Sequence, residues 1–213
     1  PNVGPPMATQ KLRCVWHWRT PQFVGSHIVD LYKLKMLKPE LFTSASGKYE
    51  TTSVRKMLLM NNPIPPLDCL WNAAIHTSTV HPQIVHDAKR AAGLPVQPTE
   101  YFEIPVDKLR EFPVCIYHLP PPALVMKLRI VWNALMYKLG WKRLLMHTSY
   151  EPFNFDHWQS LEEMPADTMK CYRAWAEEMR AGKSPQVLTY QSVPHVFVKG
   201  AIPVDGLKII KCE

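Results

Sequence analysis

Prolines set the first limit on this sequence. There are 21 among 213 residues, where about 5% is ordinary, and they form clusters at 5–6, 63–66 and 120–122. Each fixes φ, lacks a backbone N–H donor and is unwelcome inside a helix or a central strand. Glycines number only 8, so this is not flexible low-complexity sequence. The expectation is a chain with extended, stiff connections that lie along a partner.

A chain of 213 residues with 46% hydrophobic content has room for one large or two small domains and enough apolar residues for a core. Its net charge of +7 is unevenly placed. Residues 1–60 carry nine Lys/Arg against three acids, and residues 121–150 carry five against none. Between them, 61–120 holds four against six, and 151–213 holds seven against nine. Two basic blocks separated by mildly acidic sequence mark two places able to meet a polyanion; ordinary solubilising charge is the competing explanation. The five cysteines lie 41 to 56 residues apart, without a CxxC. This is neither a disulfide scaffold nor a zinc module, and a reducing interior fits it best. No signal-peptide pattern is visible, nor a run of ~18 uncharged apolar residues. The nearest, 123–141, contains Lys127, Arg129 and Lys138. A start on Pro1 is compatible with a removed presequence or with a longer chain.

Residues 1–10 read as an irregular arm. KLRCVWHWR (11–19) alternates, with Leu12, Cys14, Trp16 and Trp18 on one face and Lys11, Arg13, His17 and Arg19 on the other. Only Val15 breaks this pattern of a half-buried strand. SHIVDLYKLKML (26–37) reads as a helix capped by Ser26 and stopped by Pro39, and LFTSASGKY as a loop or short strand. ETTSVRKMLLMNNP (50–63) reads as a second short helix, from about Thr52 to Met60, with Thr51 as cap and Arg55 and Lys56 near its positive end. Residues 63–111 form a Pro-rich structured connector containing a short helix at HPQIVHDAKRAAG (81–93), closed by Gly93.

A second α/β unit spans 112–213. FPVCIYHL (112–119) reads as a buried strand. Pro120, Pro121 and Pro122 then launch a helix to about Gly140 that is apolar nearly all round. Such a helix is usually sandwiched between elements or partners, and Lys142 and Arg143 follow it. Ser160 and Glu163 have capping-box spacing. ADTMKCYRAWAEEMRAG (166–182) turns Met169, Tyr172, Trp175, Ala176 and Met179 to one face. VPHVFVKGAIPVDGLKIIKC (193–212) reads as two strands joined by a Gly/Pro turn. The fold class expected is α+β: a strand-helix-helix sheet module at 11–62, the connector, and this second unit.

No catalytic constellation stands out: GxSxG, HExxH, the P-loop, GxGxxG and DxDxDG are all missing. HTSTVHPQIVH (76–86) repeats His every five residues, a spacing that converges on one metal in neither a helix nor a strand. SVPHVFVKG (192–200) resembles the Val-Pro segment that precedes an edge strand beside the redox site in thioredoxin-like proteins. The strand–helix beginning at Phe112 is compatible with that topology. A redox cysteine should open the helix, however, and this chain has PPPAL there, with Cys115 inside the strand. The resemblance implies a degenerate thioredoxin-like domain used for packing, without a low-pKa thiol.

Residues 11–60 resemble a second family. KLRCVWHWRTP supplies a basic strand ending in Arg19, Thr20 and Pro21. LKMLK (34–38) closes the first helix, and Glu50 to Met57 opens the second. This order is similar to large-subunit ribosomal protein thirty of the bacterial and mitochondrial type, whose second helix opens on an Asp-Thr-Pro-Ala-Ile-Arg-Gly-Met motif. Thr52 and Lys56 stand where that family has proline and glycine. The third strand does not follow directly, and YFEIPV (101–106) is the candidate for its place.

The resemblance implies a structural, non-enzymatic component of the mitochondrial ribosomal large subunit, located in the matrix and stable only within that assembly. Its partners would be ribosomal RNA and other ribosomal proteins, with no DNA, membrane contact or cofactor expected. RNA is gripped by Lys and Arg through backbone and shape. The residues suited to this are Arg19, Lys33, Lys35, Lys38, Lys48, Thr51, Arg55, Lys56, Lys142 and Arg143. The alternatives are an accessory subunit of a mitochondrial respiratory or ATP synthase complex, and a non-catalytic thioredoxin-like protein.

Overall fold

The first strand lies between two others and does not form an edge. In the computed structural model, which describes residues 13–47, 62–118, 123–145, 150–185 and 193–213, β1 (Cys14–Arg19) pairs along its length with β6 (Thr99–Pro105), in the register Cys14↔Pro105 to Arg19↔Glu100. Its other side meets β5 (Ile75–Ser78) at Trp16↔Ser78. Val15 and Trp16 are both buried, so both faces of the sheet are covered here. That is why Val15 interrupts the apolar–polar alternation expected of a half-buried strand. YFEIPV does form the strand beside β1, as β6.

The sheet is completed by β7 (Val114–Tyr117), β8 (Tyr150–Pro152), β9 (His195–Val198) and β11 (Lys208–Cys212). Its order is β11-β6-β1-β5-β9-β7-β8, and every neighbouring pair is antiparallel. Two two-stranded pairs lie outside it: β2 (His27–Ile28) with β10 (Ile202–Pro203), and β3 (Pro63–Ile64) with β4 (Cys69–Leu70). The fold is therefore α+β, with five helices among the described residues: α1 (Leu31–Leu37), α2 (Pro39–Gly47), α3 (Pro82–Ala92), α4 (Ala123–Lys138) and α5 (Ala166–Arg180). Strands from 11–62, 63–111 and 112–213 lie in one sheet.

No thioredoxin-like topology emerges among the described residues. β7 and β8 flank α4, yet they pair antiparallel, whereas a strand–helix–strand crossover makes a parallel pair. β9, which follows Val193 and Pro194, is an interior strand between β5 and β7 and not an edge. Nor do β9 and β11 form a hairpin. β9 ends at Val198, Gly200 takes φ +149° against the Phe112 ring, β10 pairs with β2, and β11 reaches the far edge beside β6.

Side-chain alternation along β9 divides the core. Val196 and Val198 point to one face, with Val15, Ile28, Ile104, Leu109 and Phe153. Phe197 points to the other, with Ile64, Leu67, Cys115, Tyr117 and Tyr150. Trp71 and His76 pack edge-on against Phe197, each with ring centroids 4.7 Å away. Farther along this face α3 packs on α5 through Ala88, Leu94, Tyr172 and Ala176. Tyr172 and Ala176 are buried as the helical spacing predicts, while Met179 is exposed.

Local caps account for the remaining differences. α1 begins five residues after Ser26, because the Asp30 carboxylate accepts the Lys33 N–H at 2.9 Å while His27 and Ile28 pair with β10. Pro39 does not end the helical region. It occupies the first position of α2, where its missing N–H costs nothing. Pro165 rather than Ser160 precedes α5. Gly93 ends α3 at φ +83°, as its position implies. The arm at 1–10 and the helix expected over 52–60 lie outside the described residues.

Candidate interaction surfaces

The chain leaves the sheet after Arg19 and makes a wide detour before α1. Thr20 O accepts the Phe23 N–H at 2.9 Å, and the Phe23 ring stands edge-on to Phe102 at 4.9 Å. The detour, α1 and α2 enclose a groove of about 770 Å³. Trp18, Phe23, Ile28, Leu34 and Leu41 line its apolar part, and Lys33 and Lys38 also line it. Leu37, at the groove's rim, is 68% exposed, and Met36, which does not line it, is 85% exposed.

The sequence-selected cations have different surroundings. Lys33 and Lys38 meet at the groove, but Lys35 does not line it. Lys35 Nζ stands 5.6 Å from the centroid of the Phe42 ring. Lys38 Nζ donates to Val24 O at 3.3 Å. Arg19 donates to the Glu100 carboxylate, its register partner on β6, and Lys211 Nζ lies 3.4 Å from the other Glu100 oxygen. Arg19 therefore has its charge matched within the sheet. Lys48, Thr51, Arg55 and Lys56 lie outside the described residues.

Lys142 and Arg143 belong to a short 3-10 turn, Lys142–Leu144, directly after α4. Lys142 Nζ donates to Asp68 Oδ2 at 2.7 Å, and this bond raises the Lys142 pKa. The larger feature of this region is apolar. Met136 and Asn133 are buried beneath α4, whereas Leu128, Val131, Trp132, Leu135 and Leu139 are exposed along its outer side. The sequence signal for this surface was the helix's nearly continuous apolarity, which does not say which side faces the fold and which stays open.

Several thiols and histidines of the described residues are held by burial or by hydrogen bonds within the fold. Burial pushes the Cys14 and Cys69 thiols up to about 11 and Cys115 to about 12, and it also raises Cys212. An activated thiol needs the opposite shift. His76 Nε2 bonds Trp71 O at 2.8 Å, His81 accepts the Gln83 N–H at 3.1 Å as the cap of α3, and His86 Nε2 bonds Thr99 Oγ1 at 2.8 Å. Among the described residues no three His, Cys, Asp or Glu side chains gather as a metal site, and no helix is long and apolar enough to cross a membrane.

Comparison with protein-family models, curated proteins and solved structures gives no match to this chain.

Proposed function

We propose that this chain is a structural, non-catalytic subunit of a large assembly, and that the assembly is the mitochondrial ribosomal large subunit in the matrix. The observation carrying the subunit reading is the apolar surface left open on two separate helices, Met36 and Leu37 on α1 and the outer side of α4. Surfaces of this kind mark sites of association. The choice of ribosome rests on the basic first block, with nine Lys/Arg against three acids, and on the resemblance of residues 11–60. In this reading the 11–62 segment meets rRNA, and the segments that follow hold neighbouring proteins through the sheet they share.

Arg19 and Lys142 face carboxylates, which leaves Lys33, Lys35, Lys38 and Arg143 of the described candidates, and the three lysines share the 11–62 segment. Replacing the three lysines by Gln is expected to weaken binding to ribosomal RNA fragments. The slope of log affinity against log salt should fall by up to ~0.9 for each phosphate no longer neutralised. An unchanged affinity and slope would leave them as solvated surface charges. A second reading, an accessory subunit of a mitochondrial respiratory or ATP synthase complex, is favoured specifically by the exposed apolar side of α4. Nuclease separates the two, since only a ribosomal association should be lost with RNA digestion.

A further inference from the structure

We infer that the outer side of α4, together with the turn that follows it, is a docking surface for an anionic lipid bilayer, with the helix lying in the plane of the headgroups. At ~100° per residue, Leu128, Val131, Trp132, Leu135 and Leu139 fall within an arc of about 100°. Their exposures run from 40% to 64%. The helix has 16 residues, about 24 Å at 1.5 Å per residue. That is too short to span a bilayer and long enough to lie along one.

The turn extends this surface. Trp141 N–H donates to Met136 O at 2.9 Å, folding the chain back on the helix. The Trp132 indole N–H donates to Leu144 O at 2.8 Å. The Trp132 ring is therefore offered outward with its one donor already satisfied, and can enter an apolar phase without leaving a polar group unpaired. Trp141 and Leu144 are exposed beside it.

Charge selects the occupant. Residues 121–150 hold five Lys/Arg and no acid. Lys138 and Arg143 are exposed, while Lys142 is turned to Asp68. The exposed Trp and Leu side chains suit the acyl boundary, and Lys138 and Arg143 beside them suit anionic headgroups. An RNA partner would leave the five apolar side chains in water. Lysine is also depleted from the buried centres of protein interfaces. If lipid covers α4, Met36 and Leu37 on α1 remain as the open surface for a neighbouring protein; the choice of ribosome rests on the basic first block, so the vesicle test can fail while that reading stands.

The test is sedimentation of the full chain with vesicles of phosphatidylcholine alone and of equimolar phosphatidylcholine and phosphatidylserine. Binding is expected to the anionic vesicles, to weaken with salt, and to fall roughly tenfold or more in L135Q/L139Q, which removes two exposed leucines. K138Q and R143Q should each lower it several-fold. Unchanged circular dichroism confirms that the double variant folds, and L128Q is the second variant if it does not. Failure to bind anionic vesicles, or undiminished binding by the folded variants, would overturn the inference. So would a concentration-dependent dimer, or RNA binding, abolished by L135Q/L139Q in the absence of lipid.

Discussion

Acid should destabilise this protein through His195, and the size of the effect follows from where that ring sits. His195 opens the interior strand β9, with Ser78 and Tyr117 as its register partners on either side and the Phe197 ring 6.1 Å away. Burial lowers its pKa from 6.5 to about 4, against a smaller opposing effect of a hydrogen bond to the Pro194 backbone. The unfolded chain therefore takes up this proton at higher pH than the folded chain. The contribution to stability is complete above the unfolded value and is lost as pH falls towards the folded one. With 6.5 and about 4 as the two limits, moving from pH 7 to pH 5 costs about 2 kcal/mol from this residue. His81 and His86 are also lowered by burial and act in the same direction. Urea unfolding followed by tryptophan fluorescence, at pH 7 and at pH 5, measures the loss. H195Q should be less stable at pH 7, but its further loss on going to pH 5 should be smaller by about 2 kcal/mol. An H195Q variant that loses as much as the parent over this interval would refute the assignment.

Three further outcomes follow from the packing. G200A should lower stability by about 1–3 kcal/mol, since the residue has φ +149° and a new Cβ would lie 2.7 Å from Phe112 Cδ1; G200A/F112L, measured in the same urea titration, should recover part of that loss. F197A should cost about 3–5 kcal/mol in urea unfolding, because Phe197 is fully buried among Trp71, His76 and Tyr117. In a thiol titration at neutral pH, Cys69 and Cys115 should react only on the timescale of unfolding, as both are buried and held up at about 11 and about 12.

Elements whose signal was local could be read from the sequence. α3 is bounded by Pro82 at its first position and Gly93 past its end, and α5 places Tyr172 and Ala176 inward at helical spacing. β1 declared itself by alternation and β7 by its apolar run, whereas YFEIPV, most of which lies in β6, was legible only as the candidate for the third strand of the resembled family. Elements whose limits are set by distant partners could not be read. His27 and Ile28 leave the first helix because residues 202 and 203 pair with them. β9 and β11 look like a hairpin in sequence, yet their partners are β5, β7 and β6. Pro39 carries two opposite signals, helix stop and helix start, and only the fold chooses between them. The candidate site was legible to the same degree. The cations are plain in the sequence, but the Arg19–Glu100 pair spans 81 residues and the Lys142–Asp68 pair 74. Which charges stay available to a partner is decided by tertiary contacts. Likewise the sequence of α4 reads as apolar nearly all round, while the burial of Asn133 and Met136 shows which side faces inward.

We propose that RNA holds this chain in the large ribosomal particle. A sucrose gradient of detergent-treated mitochondria, run with and without ribonuclease and probed for this protein, tests it most directly. Co-migration with the large subunit is expected in the untreated sample, with a shift to light fractions after digestion. Migration with a respiratory or ATP synthase complex, unaltered by ribonuclease, would contradict it.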